Sequence, residues 1–196
     1  MYFLSTYQSP VGLITLASDG DNLTGLWIEG QKYHGYTIPK TMSAPQAIIH
    51  PETLTKTDSV QVIERARKWL DRYFAGKKPD ISELPLAPAG SEFRHEIWNI
   101  LCEIPYGKVM TYGDIAKRIA VKRKSKSMSG QAIGGAVGHN PISIIIPCHR
   151  VVGSNGSLTG YAAGIEIKAK LLELEGVSTG RDMMIHRLKT ESGQGA

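Results

Sequence analysis

The feature that most constrains this chain is the stretch 144–152, which reads IIIPCHRVV. Three consecutive isoleucines are typical of a short strand that is buried on both faces. Pro147 follows them and has no N–H for strand pairing, so we expect the chain to turn there. Cys148 and His149 stand at this turn. A thiol beside an imidazole at the end of a buried segment indicates a nucleophilic cysteine, because a nearby base generates the reactive thiolate.

The same stretch resembles the active-site signature of the O6-alkylguanine-DNA alkyltransferases, and it is most similar to their bacterial, constitutive type. Residues 147–151 carry that signature, and the similarity continues through residues 134–141, 160–164 and 172–176. A lone Cys-His pair would be a weak signal, whereas this ordered set of matches is specific. The resemblance implies a protein that repairs DNA by moving the alkyl group of an O6-alkylguanine irreversibly to its own cysteine.

The pattern of elements indicates an α/β (α+β) chain. Residues 2–30 alternate in three strand-like runs with turn-forming residues between them, which predicts an antiparallel meander. Apolar residues of 59–74 fall on one helical face, and the Pro and Gly residues of 76–91 predict a linker. The segment 31–57 is left unassigned. The resemblance implies a ribonuclease-H-like domain at 1–85, a DNA-binding and alkyl-acceptor domain at 86–180, and a disordered tail at 181–196.

Three helices are predicted in the mostly helical C-terminal part, over residues 91–102, 111–120 and 129–138. The third contains four glycines, which have low helix propensity but let a backbone approach closely. A short helix, a basic connection and a small-residue helix resemble a helix-turn-helix. A packed core helix explains the glycines equally well. The resemblance implies that this third helix enters the minor groove of double-stranded DNA.

Charge and cysteine content bear on whether the protein binds DNA, holds a metal or disulfide, and works in a reducing compartment. The net charge is +5, and between residues 108 and 131 seven Lys and Arg residues accompany the single acid Asp114. A DNA-binding surface and a solvated basic loop both fit this cluster. Cys102 and Cys148 are far apart, which argues against a thiolate metal site or a disulfide and favours a reducing compartment. With no apolar run of membrane-spanning length, we expect a cytoplasmic monomer.

The resemblance assigns roles to five catalytic residues. Cys148 is the nucleophile and alkyl acceptor, although a buried inert cysteine is the alternative from the residue alone. His149 takes the thiol proton through a water, and Glu175 orients His149, while without the resemblance Glu175 looks like a surface acid at a helix end. Asn140 has a supporting role, holding helix and active-site strand in register. Tyr112 protonates the leaving guanine, with a core-edge tyrosine as its alternative.

The resemblance also implies a DNA contact surface and a guanine pocket. Many family members place an arginine finger where this chain has Gln131, and glutamine lacks the charge and stacking plane of a guanidinium. We therefore expect repair with weaker DNA affinity or slower nucleotide flipping. The predicted DNA contacts are Gln131, Thr111, Ala132, Gly134 and Arg150. The predicted pocket residues are Val151, Leu158, Tyr161 and Ala162.

The function expected from the sequence is direct-reversal DNA repair. The protein would flip O6-alkylguanine, with O4-alkylthymine as a second candidate substrate, out of duplex DNA and transfer the alkyl group once. The resemblance implies no metal and no organic cofactor. The alternatives are a DNA-binding protein that recognises the lesion without repairing it and a cysteine hydrolase. A hydrolase would also need oxyanion donors, which the sequence does not locate.

Overall fold

The computed structural model describes residues 2–38 and 58–178, and it has the predicted α+β architecture. The predicted tail at 181–196 lies outside the described residues. Among the described residues, every helix is too short or too polar to span a lipid bilayer. The strands are β1 (Phe3–Ser9), β2 (Gly12–Ser18), β3 (Leu23–Ile28) and the two-residue strands β4 (Met110–Thr111) and β5 (Val151–Val152). The helices are α1 (Asp58–Phe74), α2 (Glu92–Cys102), α3 (Tyr112–Lys122), α4 (Gly130–Gly138) and α5 (Ile165–Leu174).

The N-terminal sheet is the predicted antiparallel meander, in the order β1-β2-β3. A two-residue turn joins β1 to β2, with Ser9 opposite Gly12, and Ile14 of β2 lies opposite Ile28 of β3. All six residues of β3 are buried, although β3 lies at the edge of the sheet, because later segments of the chain cover that edge. Trp27 packs over Gly25, where a Cβ would fall 2.0 Å from the indole ring.

The outer edge of β3 binds two later segments of the chain. The N–H of Leu23 donates to the carbonyl of Pro85 at 2.8 Å, and the N–H of Leu26 donates to the carbonyl of Pro141 at 2.8 Å. Both contacts are parallel bridges. The stretch predicted as a linker, residues 76–91, packs on the sheet: part of it is hydrogen-bonded to β3, and Leu84 within it is buried.

One large hydrophobic core extends through both parts of the chain. It joins Leu26 of β3 and Leu70 of α1 to Ile97 of α2 and Ile133 of α4. α1 contacts all three strands of the N-terminal sheet. The active-site segment at residues 142–148 belongs to the same core, so the N-terminal sheet and helix are part of its support.

The strand predicted at residues 144–146 is wrong. These isoleucines are buried as expected, but they form a turn in which Ile144 has a φ of 69°. The N–H of Ile146 donates to the carbonyl of Ile142 at 3.0 Å, and the side chain of Asn140 donates to the carbonyl of Ile146 at 2.8 Å. Because these bonds satisfy the buried backbone, no strand partner is needed. A 3₁₀ turn, Cys148–Arg150, follows directly.

The three predicted C-terminal helices are confirmed. α3 begins at a capping box in which the Thr111 hydroxyl accepts from the N–H of Asp114 and the Asp114 carboxylate accepts from the N–H of Thr111. α4 begins after Ser129, whose hydroxyl accepts from the N–H of Ala132 at 3.4 Å. α3 and α4 pack against each other, with residues 123–129 between them.

Candidate active site

Cys148 stands at the start of the 3₁₀ turn, and only 4% of it is exposed. Its sulfur accepts a hydrogen bond from Nδ2 of Asn140 at 3.1 Å. Burial raises the pKa of the Cys148 thiol, while the hydrogen bond from Asn140 and the nearby charge of Lys168 oppose that rise. The resting sulfur is therefore a protonated thiol, which becomes a nucleophile only when a base takes its proton.

The side chain of Asn140 contacts Cys148 as well as the turn that carries it. Its Nδ2 contacts the sulfur of Cys148 and donates to the carbonyl of Ile146, while its Oδ1 accepts from the N–H of Ile142 at 3.0 Å. One amide thus closes the turn that carries the cysteine and also donates to its sulfur. A hydrogen bond to sulfur favours the thiolate over the thiol.

His149 is fully buried and paired with Glu175. Its Nε2 lies 2.8 Å from Oε1 of Glu175. Burial lowers the pKa of His149, and the carboxylate of Glu175 opposes that shift. A neutral imidazole that donates from Nε2 has an acceptor at Nδ1, and this atom is buried without a hydrogen-bond partner among the described residues. His149 is therefore arranged as a base whose free nitrogen is Nδ1.

The reading of Glu175 as a surface acid is wrong, because the residue is buried and accepts hydrogen bonds from several elements. Arg150 donates to both of its oxygens, at 2.9 and 3.0 Å, and the N–H of Gly107 donates to Oε2 at 3.1 Å. Tyr73 donates to Oε1 at 2.8 Å. Burial alone would raise the pKa of Glu175, but the charges and hydrogen bonds of His149 and Arg150 outweigh it, so the pKa lies well below its ordinary value.

Two of the predicted DNA contacts, Arg150 and Thr111, have buried side chains. Arg150 is 6% exposed, and besides Glu175 it donates to the carbonyl of Ile104 at 2.5 Å, so its guanidinium is turned inward. Thr111 is 2% exposed, and its hydroxyl caps α3. Both side chains are engaged in hydrogen bonds within the protein.

Lys168 is a buried residue that the sequence analysis missed. Its Nζ donates to the carbonyls of Val151 at 2.5 Å and Thr159 at 2.6 Å, so it joins the strand after the active-site turn to the loop before α5. Burial lowers the pKa of Lys168 to about 8. Its position in α5, one turn before the buried Leu171 and Leu172, is a helical core position, and that periodicity is the signal that could have identified it.

A cleft of about 450 Å³ lies between α4, the loop after β3 and the loop before α5. The hydroxyl of Tyr112, which lines it, donates to the carbonyl of Gly160 at 3.0 Å, and burial raises the pKa of Tyr112 to about 12. A Cys148 thiolate would raise the pKa of both Tyr112 and Tyr161, which places the sulfur close to this cleft. Of the predicted contact and pocket residues, those lining the cleft are Gln131, Gly134, Tyr161 and Ala162. Ala132 is exposed on α4, while Val151 is buried and Leu158 packs against a small second core.

The loop after β3 supplies a wall of the cleft that the sequence analysis also missed. Lys32 and Tyr33 line the cleft, and the N–H of Lys32 donates to the carbonyl of Ala162 at 2.9 Å. The Tyr33 ring stacks on His139, with centroids 3.9 Å apart, and the hydroxyl of Tyr36 donates to the carbonyl of His139 at 2.7 Å. The N-terminal part of the chain therefore borders the cleft directly.

The glycines of α4 face open space. A Cβ built at Gly130, Gly134, Gly135 or Gly138 meets no atom within 4 Å, whereas Ile133, Ala136 and Val137 form the buried face of the same helix. The alternative that these glycines allow close packing in the core is thus wrong. They leave a smooth helix surface on the side of the cleft that a partner backbone can approach.

The basic cluster around α3 is partly neutralised by α2. Glu96 pairs with Lys122 at 3.3 Å and with Arg123 at 2.7 Å, and Glu103 pairs with Arg118. The exposed lysines Lys117, Lys124 and Lys126 extend the positive charge along this surface. The positive charge available to a polyanion is therefore smaller than the residue count indicates.

Comparison with known proteins finds one family over nearly the whole described chain. Residues 2–88 match the family model of the 6-O-methylguanine DNA methyltransferase, ribonuclease-like domain. Residues 92–177 match the model of the 6-O-methylguanine DNA methyltransferase, DNA binding domain.

Individual relatives agree with these matches. The chain is 42% identical over 176 residues to a methylated-DNA–protein-cysteine methyltransferase of Methanosarcina acetivorans, which covers 90% of this chain and 99% of the relative. It is 40% identical over 173 residues to the Haemophilus influenzae protein of that name, covering 88% and 86%. The crystal structure of Mycobacterium tuberculosis OGT in complex with DNA is similar with a TM-score of 0.68 and 36% identity, over 88% of this chain and 92% of that one.

Proposed function

This chain belongs to the 6-O-methylguanine DNA methyltransferase family, and on that basis we propose that it flips an O6-alkylguanine out of duplex DNA and transfers the alkyl group once to Cys148. Its activity is that of a methylated-DNA–protein-cysteine methyltransferase, and DNA is its partner. One observation carries the assignment to Cys148: two buried hydrogen-bonded pairs lie next to each other in the chain. Asn140 donates to the sulfur of Cys148, and the next residue, His149, pairs with Glu175.

The transfer step begins with a neutral thiol and a neutral imidazole. Nδ1 of His149 takes the thiol proton through a bridging water, and Glu175 stabilises the resulting imidazolium. The sulfur of Cys148 attacks the alkyl carbon, a C–S bond forms, and the bond from that carbon to O6 of guanine breaks. The electron pair stays on the guanine, which takes a proton at N3 from the hydroxyl of Tyr112. The thioether is a poor leaving group, so one chain reacts once.

The position of the sulfur supports the proposal of nucleotide flipping. A base stacked in a duplex cannot bring its alkyl carbon to a cysteine that is 4% exposed. We propose that α4 enters the minor groove with its glycine surface against the DNA backbone and that Gln131 fills the space left by the base. Both the exposure of Gln131 and its place on the cleft support that role. We propose that Tyr112, Tyr161, Ala162 and the carbonyl of Thr159, which Lys168 holds in place, line the guanine pocket.

We also propose separate roles for the two parts of the chain. The N-terminal part, residues 1–85, supports the site, and residues 86–180 bind DNA and accept the alkyl group. The protein acts as a monomer, and O4-alkylthymine is a second substrate. Ala132 contributes a contact on the exposed surface of α4 near Gln131.

The test is the intact mass of the protein after incubation with excess duplex DNA that carries one O6-methylguanine. We expect one added methyl group per chain, located in the peptide that contains Cys148, and no addition to the Cys148→Ser variant. Binding of the lesion without any gain in mass would contradict alkyl transfer and indicate a lesion-recognition protein. A methyl group on Cys102 would contradict the assignment of the acceptor.

A further inference from the structure

Tyr73 reaches the active site from the last turn of α1, in the N-terminal part of the chain. It is 1% exposed, and its hydroxyl donates to Oε1 of Glu175 at 2.8 Å and lies 3.4 Å from Nε2 of His149. The ring is held by a stack on Trp69, with centroids 5.5 Å apart, and by an edge contact with Tyr106 at 6.0 Å. The side chain is therefore fixed in position by packing, and its polar end lies at the catalytic pair.

We propose that Tyr73 is a positioning residue for alkyl transfer, and that it acts by fixing the carboxylate of Glu175 that orients His149. This inference rests on the proposed function, because it assigns to Tyr73 a part in the proton relay from Cys148. It also gives the N-terminal part a direct place in the chemistry, beyond support of the core.

The geometry shows why the hydroxyl matters. Oε1 of Glu175 accepts from Tyr73, from His149 at 2.8 Å and from Arg150 at 3.0 Å. Burial and the charge of Glu175 raise the pKa of Tyr73 far above its ordinary value, so the hydroxyl remains a donor at any working pH. Without it, Oε1 loses one of three donors, and more of its negative charge acts on the imidazole.

The charged groups around His149 determine the sign of the effect. Burial lowers the pKa of His149, Glu175 raises it, and Arg150 and Lys168 lower it. The neutral donors and acceptors nearby are Tyr73, Tyr161 and the thiol of Cys148. Concentrating the charge of Glu175 on the imidazole raises the pKa of His149. Because only neutral His149 accepts the thiol proton, the acid limb of the pH–rate profile moves to higher pH.

The experiment measures the single-turnover rate constant for methyl transfer from duplex O6-methylguanine to Cys148, from about pH 5 to about pH 9. The variant Tyr73→Phe removes only the hydroxyl. The matched control is Tyr7→Phe, because the hydroxyl of Tyr7 also donates to a carboxylate, Asp71 of α1, at 2.8 Å, but away from the relay. Melting temperature and affinity for unmodified duplex are recorded for all three proteins.

For Tyr73→Phe we expect a rate constant about tenfold lower at neutral pH, since a hydrogen bond to a charged group is lost, together with an acid limb displaced to higher pH. Tyr7→Phe keeps the rate and profile of the unsubstituted protein. In the Glu175→Gln background, Tyr73→Phe causes little further loss, because both act through the same group.

Two results would overturn the inference. One is a Tyr73→Phe protein with an unchanged rate and profile. The other is a loss of rate that is uniform in pH and matched by a lower melting temperature, which indicates a structural role alone. If the unsubstituted protein bound the duplex but added no methyl group to Cys148, the proposed function and this inference would both fail. That case differs from a failure of the inference alone, in which transfer to Cys148 is observed.

Discussion

At the scale of single residues, Glu175 shows how a buried charge can be tolerated and used. The hydrogen-bond donors that surround it come from α1, from the turn before β4 and from the 3₁₀ turn at Cys148. A close approach makes one of these bonds possible: Gly107 has a φ of 72°, and a Cβ there would lie 2.8 Å from the carbonyl of Glu175. Removing the carboxylate would leave Arg150 as a buried cation without its partner, which is costly.

The depressed pKa of Glu175 predicts a pH-dependent contribution to stability. Its folded pKa lies well below the ordinary 4.5, so the contribution is complete above about pH 4.5 and is lost as the pH falls through the folded pKa. Glu175→Gln should lower the free energy of unfolding at neutral pH by about 3–5 kcal/mol. The difference from the unsubstituted protein should narrow as the solution is acidified below about pH 4.5, measured by urea unfolding at a series of pH values.

The control for that prediction is Glu103→Gln. Glu103 pairs with Arg118 at the surface, where its side chain is 55% exposed, so a loss below about 1 kcal/mol is expected. A Glu175→Gln penalty that stays constant through the acid range would show that the carboxylate is not the group whose titration matters.

At the scale of elements, α4 combines a buried apolar face with an open glycine face. A substitution on the glycine face should change protein stability and DNA affinity in opposite directions. Gly135→Ala adds a methyl group that meets no protein atom within 4 Å. We expect the free energy of unfolding to rise by about 1 kcal/mol, because alanine has the higher helix propensity. We also expect weaker binding of duplex DNA, because the methyl group holds the DNA backbone away from the helix.

Denaturant unfolding and fluorescence anisotropy with a labelled duplex measure these two effects. Gly113→Ala is the control, since it lies in α3 outside the cleft, and its Cβ would be 3.6 Å from the Thr111 hydroxyl, an ordinary contact. A Gly135→Ala protein that is more stable and binds DNA with unchanged affinity would contradict the placement of α4 against DNA.

The elements also show where sequence reasoning reached its limit. The bounds of α2, α3 and α4 follow from periodicity and from local capping residues, and those predictions hold. The run of isoleucines before Pro147 correctly predicted burial but not conformation, because a buried run has no periodicity that separates a strand from a turn. For Asn140, whose side chain closes that turn, the resemblance indicated a bond to the active-site segment, but local sequence did not indicate its contact with the sulfur. Tyr73 fitted the apolar face of α1, and nothing local reveals a hydrogen bond to a residue 102 positions away.

At the scale of the whole molecule, β3 and the shared core predict that the two parts unfold together. β3 is hydrogen-bonded to segments on both sides of α2, and buried residues from both parts belong to one hydrophobic core. The buried tryptophans serve as probes, with Trp27 and Trp69 in the N-terminal part and Trp98 in α2. A Trp98→Phe protein and a Trp27→Phe, Trp69→Phe protein report on each part separately.

We expect the fluorescence transition of each variant to coincide with its own loss of far-ultraviolet circular dichroism in urea. The comparison is made within each variant, so a change in stability caused by the substitution does not affect it. A fluorescence transition well separated from the loss of helical signal would show that the parts unfold independently.

The burial of Cys148 has a consequence for the lifetime of the protein before it meets a lesion. If each chain acts once, the number of lesions that a cell can repair equals its number of chains with an unreacted thiol. Each thiol that reacts with an oxidant or a free electrophile lowers that number by one. An exposed thiolate is the form most open to such loss. Cys148 is 4% exposed with a raised thiol pKa, and burial raises the pKa of Cys102 to about 11. Both cysteines are thus held as protonated thiols, the form less open to oxidation and alkylation, before any DNA is bound.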